Sequence, residues 1–220
     1  MAFRKDDSLC DLVSAVLEEL AANGTLRSAS IGWFGSDLTG LKGKTGAADE
    51  YRADNTARTL IVGINTDNKP LGYMSGDEIV GFDVDLASYI CGYLGWSMVL
   101  RSVSADDVDV QLASGNVDCV MGVPETQKVS TLSYSPEYLT GKYLLISTVG
   151  GVSTKAGMRG KILGVATADI PVLQEDTSFL ESLDKIIYQT GTDGLFTALA
   201  NGHVDAILVS GVVASYYTGG

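Results

Sequence analysis

The chain has little of what catalytic, metal-binding and nucleic-acid-binding proteins depend on. It has one histidine, His203, and three cysteines, Cys10, Cys91 and Cys119, among 220 residues. None of these spacings matches a metal-ligand set, and a lone histidine without a cysteine or carboxylate cluster argues against a zinc site or His-based catalysis. Basic residues are also scarce: 15 Lys and Arg stand against 27 Asp and Glu, for a net charge of −12, and no basic cluster occurs. Nucleic acid and anionic membrane surfaces select basic patches, so neither is a partner here. No apolar run approaches the roughly 18 residues of a membrane span, which argues against direct membrane insertion. Residues 1–10 are too polar for a signal peptide, so compartment is not legible from targeting signals. The cysteines read as small core residues, with Cys91 and Cys119 the one pair compatible with a disulfide. No cofactor motif stands out. Gly43-Lys44-Thr45 looks like the end of a phosphate-binding loop, but Leu38 occupies the place of that motif's first glycine and no strand precedes it.

What is present is order and repetition. The chain is 45% apolar, enough for one large core or two modest ones. Two ten-residue stretches, Leu112-Ala-Ser-Gly-Asn-Val-Asp-Cys-Val-Met121 and Leu199-Ala-Asn-Gly-His-Val-Asp-Ala-Ile-Leu208, are near copies. Each reads as a helix end, a glycine in the left-handed region, and a Val-Asp entry into a buried strand. The repeated step predicts two similar α/β units with a cleft between them, where small ligands usually bind.

Periodicity fills in the rest. Leu9, Leu12, Val13, Val16, Leu17 and Leu20 predict a helix over 7–23, opened by Ser8 with Asp11 and stopped by Gly24. The polar, glycine-bearing stretch 37–57 reads as a linker. Strands are expected at 60–64, 97–102, 117–121, 142–148, 161–166, 185–188 and 204–209. Helices are expected at 83–94, 105–113, 169–183 and 193–200, with a short one at the end and a turn at Ser75-Gly-Asp77. This alternation predicts a largely parallel sheet with helices on its faces. Gly150–Gly157 reads as a hinge, and Trp33 and Trp96 as core residues.

Several landmarks occur in one characteristic order: Leu60-Ile-Val-Gly63, Gly72-Tyr-Met74, Ile79-Val-Gly-Phe-Asp-Val-Asp-Leu86, Leu112-Ala-Ser-Gly-Asn-Val-Asp118, Ser133-Tyr-Ser135 with Tyr138, Met158-Arg-Gly-Lys-Ile-Leu-Gly-Val165 and Asn201-Gly-His-Val-Asp205. Together they resemble the bacterial extracytoplasmic solute-binding proteins of the polar amino-acid type. The resemblance implies an α/β, two-lobed, type II periplasmic-binding-protein-like fold. The opening Ala2-Phe-Arg-Lys-Asp-Asp7, the first helix, Asn23-Gly-Thr-Leu26 and Trp33-Phe-Gly35 look like the C-terminal end of the same family, placed first. That order implies a circular permutation or a tandem array cut across two domains. The expected lobes are 1–148, made of a family C-terminal segment 1–36, a linker 37–57 and a family N-terminal segment 58–148, and then 149–220. The second lobe looks short, lacking the strand that returns to the first, which would leave an open sheet edge for self-association.

The resemblance also implies a small polar ligand held in the cleft, a periplasmic or extracellular location, and delivery to a membrane transporter or a signalling partner. The family's aromatic, arginine and aspartate anchors are replaced: Asn68 and Leu71, and later Ala105, stand where aromatics are expected, Lys128 lies nearest the arginine, and Ser210 takes the aspartate's place. Candidate ligand-binding residues are Asn65, Asn68, Tyr73, Gly122, Thr126, Lys128, Thr167, Asp169 and Ser210, with Asp67 and Glu125 as solvated alternatives. No catalytic or metal residue is assigned. The alternatives are a degenerate interaction domain of the same fold and a dehydratase-like enzyme that would need Asp169 or Glu125 as acid or base.

Overall fold

The computed structural model describes residues 1–51, 56–123, 127–152 and 154–218. They form two compact units, Met1–Thr140 and Gly141–Gly220. The first unit starts with strand β1 (Ala2–Arg4), then the predicted first helix, α1 (Ser8–Ala22). Its cap is Asp7 rather than Ser8: the Leu9 amide donates to Asp7 Oδ1 at 3.0 Å, and Leu9, Val13, Val16, Leu17 and Leu20 are buried. Gly24, with φ 82°, ends α1 but also opens a second helix, α2 (Thr25–Phe34), which the sequence did not reveal.

Five strands make the first sheet: β6 (Ser97–Ser102), β2 (Thr59–Ile64), β7 (Cys119–Val120), β1 and β8 (Leu132–Tyr134), in that order. β2 runs parallel to β6 and β7, whereas β1 is antiparallel to both β7 and β8. A small antiparallel sheet of β3 (Asp67–Asn68), β4 (Gly72–Ser75) and β5 (Glu78–Val80) leads into α3 (Phe82–Leu94). Helix α4 (Val108–Ala113) follows β6 after a single 3-10 turn at Ala105–Asp107, so the helix expected over 105–113 is split.

The linker expectation for 37–57 is corrected through Tyr51. Thr39 bridges to Leu139, the Lys44 amide donates to the Glu18 carbonyl at 3.2 Å, and Ala47 and Ala48 are buried. Residues 52–55 lie outside the described set. Trp33 and Trp96 are not core residues. Trp33 Nε1 donates to Asp85 Oδ2 at 2.8 Å and Trp96 lies under the Arg58 guanidinium, each only partly buried. All three cysteines are buried and unpaired by disulfides.

The second unit's sheet has the order β11 (Lys185–Gln189), β10 (Ile162–Ala166), β12 (Ala206–Ser210), β9 (Tyr143–Ile146). β10 is parallel to both neighbours and β9 antiparallel to β12. Strand β9, which the sequence reading put at the end of the first lobe, therefore belongs to the second sheet, and the Gly150–Gly157 stretch connects β9 to β10 within that unit. Alternate residues of β10 and β12 feed two cores: Leu163, Val165, Ala206 and Leu208 on one face, and Ala166, Ile207 and Val209 on the other. The helical stretch expected over 169–183 divides into α5 (Ile170–Gln174) and α6 (Thr177–Ser182), because Asp176 leaves the helix to cap α6 through the Phe179 amide at 3.0 Å. Helices α7 (Thr192–Ala200) and α8 (Gly211–Thr218) complete the unit.

The sequence repeat is a structural repeat. Gly115 and Gly202 adopt φ 72° and 70°. Asp118 accepts from the Ile61 amide at 2.9 Å and Asp205 from the Ile162 amide at 2.8 Å, while their own amides return bonds to the Ile61 and Ile162 carbonyls. Each carboxylate also sits 3.3 Å from a cation, Arg58 or Lys161.

Candidate functional site

In each unit the polar candidates gather where the parallel strands end. In open α/β sheets this is where ligands bind, because the loops that leave the strand ends diverge there and expose backbone groups. In the first unit, β2 ends at Ile64 and the chain turns at once. Asn65 Oδ1 accepts from the Asp67 amide at 3.0 Å, an Asx turn that reverses the chain into β3. Gly72 lies so close to the Asn65 carbonyl and the Ile64 side chain that any Cβ there would collide with both, so glycine is what lets β4 fold over the end of β2. Tyr73 pairs with Asp67 across this hairpin, and the Lys69 ammonium lies 5.1 Å from its ring centroid.

At the end of β7, Gly122 takes φ 69° and donates its amide to Tyr138 Oη at 3.3 Å. Tyr138 Oη in turn donates to Asp83 Oδ1 at 2.8 Å. Asp83 is 2% exposed, on the first turn of α3, and a Cβ on Gly122 would come within 2.7 Å of its Oδ2 and 3.8 Å of Asn68 Nδ2. Asp83, Gly122 and Tyr138, from three separate segments, thus form one polar knot, with Asn68 close to Gly122. Burial pushes the Asp83 carboxyl up to about 7, against the opposing pull of the Tyr138 hydrogen bond and the chain's α-ammonium. The same burial raises the Tyr138 hydroxyl well above its ordinary value, with the Asp83 charge adding to the effect.

Lys128 lies with the segment that precedes Tyr138. Its ammonium is 3.6 Å from Glu137 Oε1 and 5.5 Å from the Tyr134 ring centroid. Thr126, and Glu125 with it, lie outside the described residues.

The second unit has its own cluster. Tyr143 and Ser210 are directly paired across β9 and β12. Tyr143 Oη donates to Asp169 Oδ1 at 2.7 Å, which brings the turn after β10 to the same place. Thr167 opens that turn and is exposed. Burial raises the Asp169 carboxyl and the Tyr143 hydroxyl; the hydrogen bond between them partly offsets the first and adds to the second. Ser210 Oγ accepts from the Val213 amide at 3.3 Å, so this hydroxyl caps α8.

Sequence reasoning missed Asp83, Tyr143 and Glu137 as members of these clusters. Asp83 reads as a helix-opening acid in Gly-Phe-Asp, and Tyr143 as an ordinary strand residue. Glu137 carries one signal, a charged residue between Pro136 and the landmark Tyr138. A groove of about 520 Å3 beside Trp33, Asp85 and Tyr89 contains none of the nine candidates. Among the described residues no group of His, Cys, Asp and Glu could hold a metal ion, and no helix is long and apolar enough to cross a membrane.

Two α/β units, each with a parallel sheet core, an antiparallel strand beside it and polar groups at the strand ends, define the architecture of a two-lobed, type II periplasmic binding protein. Residues 60–206 match the bacterial extracellular solute-binding proteins, family 3, and the chain belongs to that family. It is 25% identical over 168 residues to the arginine-binding extracellular protein ArtP of Bacillus subtilis (strain 168), covering 75% of this chain and 66% of that protein. It is 27% identical over 158 residues to a probable histidine-binding protein of Campylobacter jejuni, covering 70% and 60%. The chain therefore spans just under two thirds of the one relative's length and three fifths of the other's. Among solved structures, an ancestral arginine-binding protein bound to arginine superposes with a TM-score of 0.61 at 25% identity, covering 73% of this chain and 74% of that one. An arginine transport-system periplasmic binding protein from Legionella pneumophila gives 0.59 at 26% identity, covering 73% and 72%.

Proposed function

We propose that the chain is an extracytoplasmic solute-binding protein that takes a free amino acid and delivers it to an ABC-type importer or reports it to a signalling partner. The observation that carries this reading is the position of Asn65 and Gly122 at the strand ends of one unit, and of Thr167, Asp169 and Ser210 at those of the other, in a family-3 fold; Asn68, Tyr73 and Lys128 complete the proposed site. The arginine- and histidine-binding relatives support an amino acid as the ligand, and the family's description supports a location outside the cytoplasm. Thr126 is included in the proposed site from sequence order alone.

The reading is of binding rather than catalysis. Asp83 and Asp169 each accept a hydrogen bond from a tyrosine hydroxyl whose own proton is held tightly. Such pairs fix loops, and Asp83 at 2% exposure is out of a solute's reach, whereas a general acid or base must touch a group on the substrate. The pairing of β9 supports a domain boundary ahead of Tyr143, and the family order of the segments, with β1 between β7 and β8, supports a permuted chain or a cut array. The second sheet ends at β9, beyond which no strand is paired among the described residues, and Leu144 there is 43% exposed. That edge supports self-association by strand pairing, which would appear as a concentration-dependent mass in sedimentation.

A change of conformation on ligand binding is the direct functional test, since a ligand shifts the population toward whichever conformation it binds better. Small-angle scattering with saturating arginine, histidine or glutamine should show a smaller radius of gyration for at least one of them. An unchanged radius with all three would favour the degenerate-domain alternative, for which the pairing of Lys128 with Glu137 and the capping role of Ser210 already speak.

A further inference from the structure

We propose that the groove between α2 and α3 of the first unit is a further ligand site, which takes a small organic cation bearing N–H groups, with Asp85 as its counter-ion. It shares no residue with the strand-end clusters and stands whether or not those hold an amino acid. The groove encloses about 520 Å3, within the roughly 300–1,000 Å3 of small-molecule sites. Its origin is local. Thr25, Ser28, Ala29 and Gly32 recur at helical spacing along one side of α2, and all four line the groove. None has a long side chain. A Cβ built on Gly32 would meet no atom within 4 Å, so the space beside that glycine is open.

The facing wall is α3, where Asp85 and Tyr89 stand one turn apart on one face of the helix. Asp85 is half-buried, and the Trp33 indole donates to its Oδ2 at 2.8 Å, which fixes the carboxylate's orientation. Among the described residues, Oδ1 accepts no hydrogen bond and no cation pairs with Asp85. One neutral N–H satisfies one oxygen and leaves the negative charge uncompensated in a place partly withdrawn from water. A cation that brings its own N–H answers both needs at once, by a charge-assisted hydrogen bond to Oδ1. The Tyr89 ring, 41% exposed, gives such a cation or its alkyl stem an aromatic face to rest on.

The lining also sets the sign of the ligand. Asp85 is the one charged residue in it among the described residues. Arg27, on the same helix, is paired with Asp37 at 3.2 Å and does not line the groove. An anion would meet the Asp85 charge with no cation to hold it, and a neutral molecule would leave that charge uncompensated. The Thr25 and Ser28 hydroxyls can accept further N–H groups. The chain's net charge of −12 raises the local concentration of cations.

The test follows the Trp33 indole N–H resonance in nitrogen–proton correlation NMR spectra of the full chain, the resonance being assigned by its loss in Trp33→Phe. The probes are butylammonium and methylguanidinium, with butanol, butyrate and potassium chloride as controls at matched ionic strength. At least one organic cation should move the resonance along a saturable curve and raise Tm, because it binds the folded chain. The controls should do neither. Asp85→Asn, which keeps an acceptor for the indole, should weaken binding by about tenfold, the loss expected for one hydrogen bond to a charged group. Gly32→Leu should occupy the open space and abolish the shift, while melting no lower than the wild-type chain, since glycine is a poor helix former. An indole resonance that neither cation moves, or that potassium moves equally, would overturn the proposal. So would undiminished binding in both Asp85→Asn and Gly32→Leu.

Discussion

Asp83 is the residue that most constrains the first unit. Its carboxyl is buried on the first turn of α3 and its pKa is pushed from 3.8 to about 7 by that burial. The sign of the consequence follows from proton counting. Between these two values the folded chain keeps a proton that the unfolded chain has released, so folding is penalised increasingly as pH rises through the window and fully above it. A shift of about three pKa units corresponds to a penalty on the order of 4 kcal/mol. Asp83→Asn keeps an acceptor for the Tyr138 hydroxyl and removes the charge. Urea unfolding at about pH 4 and about pH 8 should show the variant gaining stability over the wild-type chain at the higher pH by a few kcal/mol more than at the lower. Equal differences at the two values would mean that Asp83 does not hold its proton in the folded state. Little of this was legible in the sequence. Gly-Phe-Asp reads as a helix start, and only the three-dimensional approach of Tyr138 and Gly122, 55 and 39 positions further on by their numbering, turns that acid into the centre of a knot.

At the scale of elements, the helix-to-strand steps at Gly115 and Gly202 show what local sequence does specify. Both were legible, because a left-handed glycine and a Val-Asp pair carry their conformational meaning within a few residues. What the sequence did not show is why the aspartates are there: each clamps an amide near the start of the neighbouring central strand, Ile61 in β2 or Ile162 in β10. Removing the acceptor leaves that amide underpartnered, at a cost of about 1–3 kcal/mol. Asp118→Ala and Asp205→Ala should each lower the urea midpoint accordingly, while the Asn variants, which keep one oxygen acceptor, should lose less. Midpoints unchanged in the Ala variants would show that solvent replaces the clamp without loss. Elements that were missed share a different cause. β1 and β8 have three residues each, too few for a period of two to declare itself, and their pairing partners lie more than a hundred positions away in sequence for β1. In α2 a serine, Ser30, sits on the buried face while Ile31 is exposed, which blurs the helical pattern, and Gly24 looked like a stop although it also serves as the next helix's cap.

For the whole molecule, the family resemblance was legible because its landmarks fall in order along most of the chain, and the match over residues 60–206 agrees with it. The candidate site was only partly legible. Residues at the ends of β2, β7, β10 and β12 were found, since position in a fold follows from order. The partners that tie them down, Tyr138 to Gly122 and Tyr143 to Asp169, arise from packing between distant segments and leave no local pattern. The central claim is that these two clusters make a working amino-acid receptor. A thermal-shift screen of the chain against the twenty amino acids tests it most directly. An amino acid present at about 100 times its Kd stabilises the folded state by roughly 2.7 kcal/mol, which reads as a rise of several degrees in Tm. The account predicts such a rise for a small subset of amino acids. A well-folded chain whose Tm moves with none of them would contradict it.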